Sequence, residues 1–269
     1  MEMNIDFHFP KNINLNSPPL TEAWLEVRWQ LEATETPNFA VDRKFPFALG
    51  LFRSKVKNEF GNVTPLEPSR FPQEMVPHSV HYRFTPIGES WPMLQLGPGV
   101  ASVNFTNPYT WEVFKTRALY LREQLNYAYE NEIQVSSLAL RYRNAFEFDY
   151  ESDDIFNYLQ KSLNITIAVP KYISNTITRV SWPQHLNTSL GYALKKPTGQ
   201  GAIRIATGRK TDTQKPVIVL ELEVISIEDS PHYWSTDEGF ANWLEDAHDI
   251  THEWFFAIIE GDLFDKYQE

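Results

Sequence analysis

The sequence predicts an α+β fold of antiparallel meander sheets, covered on one face by long amphipathic helices and ordered in two similar halves. Three observations predict it. Leu20 to Leu31 and Val135 to Phe148 alternate apolar and polar residues, the period of a half-buried strand. Trp111 to Ala128 and Phe240 to Phe264 instead repeat apolar residues three and four apart, which places them on one helix face. Short alternating segments lie between these runs, separated by turn residues, so strands follow strands rather than alternating strictly with helices.

In order, Ser17-Pro18-Pro19 precedes a strand with Ala23, Leu25, Val27, Trp29 and Leu31 on one face and Glu22, Glu26, Arg28 and Gln30 on the other. Phe45, Leu49, Phe52, Val56 and Phe60 mark a helix, with Pro46 in its first turn and Gly61 just past its end. Asn62 to Pro77 is Pro-rich and reads as loop. Val80 to Phe84, Met93 to Gln95 and Ala101 to Phe105, the last two flanking Gly97-Pro98-Gly99, read as an antiparallel meander. Thr110 caps the helix of Trp111, Phe114, Ala118, Leu121, Leu125 and Ala128.

The long strand that follows carries Leu138, Leu140, Tyr142, Phe146 and Phe148 on one face and Arg141, Arg143 and Glu147 on the other. Ile155 to Leu163 forms a short helix. Four strands are expected near Ile173 to Trp182, Leu190 to Lys195, Ala202 to Thr207 and Pro216 to Ser226. Ser235 with Glu238 has capping-box spacing and starts the last helix near Thr236, with Phe240, Trp243, Ala247, Ile250, Trp254 and Ile258 as its buried stripe. Residues 1–269 read as a single unit, with 17–149 and 150–269 as halves.

The net charge of -11 repels a phosphate backbone and argues against a general nucleic-acid binder; Lys195, Lys196, Arg204, Arg209 and Lys210 read as the solvated tip of a hairpin. There is no cysteine, which excludes thiolate metal sites and cysteine nucleophiles. No apolar run reaches the roughly 20 residues of a membrane span, and Met1 to Asp6 lacks the features of a secretory signal, so the expected address is the cytoplasm.

His248-Asp249-Ile250-Thr251-His252 puts two imidazoles one helical turn apart, as in the zinc-protease signature, with Asp in place of the general base Glu. A metal would need a third ligand from elsewhere, such as His78, His81 or His232. The sequence favours a structural hydrogen-bonding role for His248 and a surface position for His252. Glu22, Glu26, Arg28, Arg141 and Arg143 are candidates for a charged groove, or for pairing across neighbouring strands, and Glu221 and Glu223 could add acid there. No phosphate loop, nucleophile elbow or Ser-His-Asp order is recognisable, and no cofactor is expected.

Pro18-Pro19-Leu20 with Glu22-Ala23 and Glu26-Val27-Arg28, Trp111 with Phe114, Leu140-Arg141-Tyr142 with Asn144, and Leu244 with Ala247-His248, Ile250, Phe255 and Ile259 are spread over nearly the whole chain. Together they resemble a family of sporadically distributed bacterial and archaeal proteins of about this length and uncharacterised function. The resemblance implies no catalytic residue; its pattern includes His248 and no counterpart of His252. The family's patchy distribution is similar to that of genes carried with defence or toxin-antitoxin islands. The sequence therefore favours a non-enzymatic interaction protein from such a pair, with a protein partner or a second copy of itself. The alternatives are a module with an aromatic-lined cavity for a small apolar ligand, and a metal-dependent hydrolase using His248 and His252.

Overall fold

The structure, a computed structural model, describes residues 13, 15–35, 39–170 and 183–269. The first half runs β1 (Leu20–Trp29), β2 (Glu32–Ala33), β3 (Ala40–Val41), α1 (Phe45–Val56), β4 (Asn62–Pro65), β5 (Tyr82–Thr85), β6 (Met93–Gly97), β7 (Val100–Phe105), α2 (Trp111–Ala128) and β8 (Val135–Glu147). The second runs α3 (Ile155–Ser162), β9 (Asn187–Lys195), β10 (Thr198–Arg209), β11 (Pro216–Ser226), α4 (Ser230–Trp234), α5 (Asp237–Ile259) and α6 (Asp262–Gln268). The class is α+β. Nine strands form one sheet in the order β4-β5-β6-β7-β1-β8-β11-β10-β9, and every neighbouring pair is antiparallel. Segments 17–149 and 150–269 both contribute, and β8 with β11 joins them.

Several local expectations change. The stretch read as loop after Gly61 contains β4, a four-residue strand at the sheet edge that ends on Pro65, where an absent N–H costs no ladder bond, followed by two 3₁₀ turns. The helix begun at Phe45 stops at Val56 rather than running on to Phe60, although Phe60 is still buried. The last helix is two: α5 ends at Ile259, and Gly261, at a φ of +105°, turns the chain into α6. Thr236, not Ser235, caps α5, its hydroxyl accepting from the Gly239 N–H at 2.9 Å while Ser235 bonds back to the His232 carbonyl. The strand expected near Ile173 to Trp182 lies outside the described residues.

Ala23, Leu25, Val27 and Trp29 of β1 are buried in one core cluster with Phe52 of α1, Phe114 and Leu121 of α2 and Trp243 of α5. A second cluster gathers Phe146, Ile155, Leu159, Leu222, Phe256 and Ile259. The face of α5 that is buried drifts between them, from Phe240 and Trp243 through Ala247 and Thr251 to Phe256 and Ile259. A twisted sheet presents a rotating surface to a straight helix, so no single stripe stays in contact along its length.

Trp254, expected in that stripe, is only half-buried: it lies beside Tyr192 and over Gly201, where a Cβ would meet its ring at 2.4 Å. Trp243 is instead fully buried, and its indole N–H donates to Ser226 Oγ at 2.9 Å. Trp243→Ala, which opens a cavity and strips Ser226 of a partner, is expected to cost about 3 to 5 kcal/mol in urea denaturation, and Trp254→Ala clearly less. Equal losses would show that the second half of α5 is as deeply packed as the first.

Candidate functional site

A cavity of about 380 Å³ lies where the start of β1, the middle of β8 and the N-terminus of α2 meet α5. Strand alternation aims Tyr142 and Asn144 of β8 to the same side, and Leu222 stands beside Tyr142 on β11. Leu20 reaches the cavity because the β1–β8 register shifts between Leu20 and Glu22: Leu20 pairs with Asn144, Glu22 with Arg143. Without that bulge, Leu20 would share a face with Glu22. The N-terminal cap of α2 brings in Tyr109, Thr110, Trp111 and Glu112, and α5 contributes His248, Thr251, His252, Phe255 and Phe256.

The polar groups are linked. The Tyr109 and Tyr142 hydroxyls are 2.8 Å apart, and the Tyr142 hydroxyl is 3.0 Å from Nδ1 of His248. The His248 ring lies flat on Trp111, with centroids 3.8 Å apart and planes 8° apart, and Trp111 Nε1 donates to Glu245 at 3.1 Å, where Lys115 also pairs. His252 meets His248 edge-on at 5.6 Å and Phe256 at 4.6 Å. Burial pushes both phenols well above their ordinary pKa, and Tyr142 beside it raises Tyr109 further, so both stay protonated throughout the physiological range. A phenol chain of this kind can turn its O–H bonds in either direction.

Asn144 stands apart from that chain. It is 3% exposed and lines the cavity, yet its side-chain amide makes no hydrogen bond to any described residue. Its amide opens onto the cavity and is not among the fully buried polar atoms left without a partner.

The candidate charged residues occupy the other side of the same strands. Glu22, Arg143, Glu221 and Arg204 stand in one row across β1, β8, β11 and β10, with opposite charges in register. Arg143 reaches Glu221 at 2.9 Å and Glu22 at 3.7 Å, and Arg204 reaches Glu221 at 2.9 Å. Arg141 pairs with Glu223 and, at 3.5 Å, with Glu26, which also holds Arg28 at 2.8 Å. Trp24 lies beneath the Arg141 and Arg143 guanidinium groups at 5.7 and 5.0 Å. Glu221 and Glu223 are therefore ion-paired rather than solvated, and Glu223 is 4% exposed.

The other candidates are dispersed. His78 Nδ1 is 3.0 Å from the Gly99 carbonyl, His81 is buried edge-on against Phe45, and His232 packs on Tyr233. Among the described residues no group of three or more His, Asp or Glu side chains is placed to hold a metal ion. Lys196, Arg209 and Lys210 of the basic patch pair with Asp246, Glu151 and Glu147. No helix among the described residues is long and apolar enough to cross a membrane.

Sequence reasoning placed His252 on the surface, whereas it lines the cavity, and it overlooked Tyr109, which carries no periodic signal. Pro18, Leu20, Trp111, Tyr142, Asn144 and His248, far apart in the sequence, all line this one cavity. No protein-family model, curated protein or solved structure matches the chain.

Two measurements check these electrostatic assignments. Glu223→Gln leaves Arg141 and Arg204 short of a buried partner and is expected to cost roughly 3 kcal/mol, whereas the more open Glu22→Gln costs under about 1. Comparable urea midpoints for the two variants would contradict that ranking. Burial lowers the pKa of His81 in the fold, so the unfolded chain takes up its proton first. Stability is then full above about pH 6.5 and falls as the pH drops below it, and His81→Gln removes this component between about pH 7 and pH 5.

Proposed function

We propose that the protein is a small-molecule binding module whose site is the cavity between α2, α5 and β8. The observation that carries this reading is the coexistence of largely apolar walls with the Tyr109–Tyr142–His248 chain in one space of about 380 Å³. Small-ligand sites combine these features: a cleft of roughly 300 to 1,000 Å³, mostly apolar, with a few convergent polar groups. The long helices shielding one face of the sheet create the space, and the ion pairs leave the opposite face too well neutralised to form a strongly charged groove. The family resemblance, on this reading, is a resemblance of binding sites.

An uncharged solvatochromic dye such as Nile red is expected to bind saturably at one site. His252→Trp, which fills the cavity from a half-buried position on its rim, should weaken it on the order of tenfold while keeping the wild-type melting temperature. No saturable binding to the wild type, or equal binding to the variant, would sink the reading.

A second reading, the interaction protein of a defence or toxin-antitoxin pair acting in the cytoplasm, is favoured by large apolar side chains left open on the surface. Phe47 is 78% and Ile87 83% exposed, with Met75 also open. Stoichiometric co-purification with a host protein, or a dimer mass in light scattering, supports it; a clean monomer in both measurements opposes it.

A further inference from the structure

We infer that the ligand of this cavity is an uncharged amphipathic molecule, with a carboxamide-type head (an N–H and a C=O in one plane) and an apolar body, and that Asn144 reads that head. The inference rests on the cavity being a binding site and goes further by assigning the class of ligand.

Among the described residues no lysine or arginine lines the cavity, and the one carboxylate that does, Glu112, is solvent-exposed on the first turn of α2. A carboxylate or phosphate head would lose its hydration without gaining a permanent cation. An ammonium head fares no better. Trp111, the indole that could receive a cation, is covered by His248 on its stack and lies parallel to Phe114 at 5.9 Å, while Glu245 is already held by Trp111 and Lys115. A neutral head avoids both costs.

The Asn144 amide offers N–H donors and a carbonyl acceptor together, with no described protein partner for either. A ligand group that is only an acceptor, such as an ether or ketone, would leave the Asn144 carbonyl unmet, and one that is only a donor would leave its N–H groups unmet. A carboxamide or lactam meets both. The Tyr109–Tyr142–His248 chain adapts to either polarity, because reversing its hydroxyls turns Tyr109 from acceptor to donor. The remaining walls, Leu15, Leu20, Leu222, Phe255 and Phe256, suit a hydrocarbon or aryl body.

The test is displacement of bound Nile red, at neutral pH, by octanamide, octanoate and octylamine, which share one apolar body and differ in the head. Octanamide is expected to displace the dye at a concentration on the order of tenfold lower than either charged analogue. Asn144→Leu, close in volume to the native residue, is expected to lose that preference, read as the ratio of the three displacement midpoints in the variant itself, and Asn144→Ala serves as the second variant should Asn144→Leu fail to fold. Octanoate or octylamine matching octanamide, or a preference unchanged in a folded variant, overturns the assignment while leaving the cavity as a site. Failure of the wild type to take up the dye overturns the cavity reading, and this inference with it.

Discussion

The antiparallel pairing of β1 with β8 is the constraint on which the rest of the structure depends. It joins segments more than a hundred residues apart and places them at the centre of the nine-stranded sheet, with β7 hydrogen-bonded beyond one and β11 beyond the other. Because side chains alternate along a strand, the register of this one pair decides both faces at once. Ala23 opposes Tyr142 and Leu25 opposes Leu140 on the core side, while Glu22 meets Arg143 on the other. Slipping the register by one residue would bury the arginines and expose the leucines, so the hydrophobic term fixes it strongly.

Of the two register shifts in that pairing, the one between Leu20 and Glu22 separates packing from function. Where alternation holds, the core side is filled by large apolar residues from α1, α2 and α5. At the bulge before Glu22 the strand turns Leu20 inward against Asn144, and it is beside these two residues that the core fails to close. Ala23, small and directly opposite Tyr142, and the phenol of Tyr109 leave Tyr142 able to bond sideways to His248 rather than being buried as a plain hydrophobe. An enclosed polar chain, with an amide opening onto the space beside it, is costly in a core whose only task is stability. Their presence in one place is the strongest physical sign of a ligand in this molecule.

The charged face follows a different logic. Individual cross-strand ion pairs contribute only about 0.2 to 1 kcal/mol each, yet here they share partners, and Glu223 is buried beneath the guanidinium groups of Arg141 and Arg204. Arginine suits this layer because its planar group bonds two carboxylates at once and sits over the face of Trp24. The layer neutralises itself: four glutamates and four arginines, Arg28 included, account for it. The molecule's acidic excess therefore resides elsewhere.

The α+β class, the long strands and the main helices were legible from periodicity, since period 2 and period 3.6 are local properties of the chain. The pairing of Glu22 and Glu26 with Arg141 and Arg143 could be stated conditionally, needing only that the two strands be neighbours. The edge strand β4 was not legible, because so short and exposed a strand carries no alternation to detect. The break of the last helix at Gly261 was missed because apolar spacing continues to Leu263 and Phe264, and the true burial of α5 depends on the twist of the sheet beneath it. His252 looked like a surface residue for the same reason. What the sequence determined by itself is therefore which residues form strands and helices, and which of their faces are apolar, because neighbours along the chain dictate these. Only the tertiary structure decided that Leu20, Tyr109, Tyr142, Asn144 and His248 enclose one cavity, because that depends on a register and a bulge that no local segment encodes.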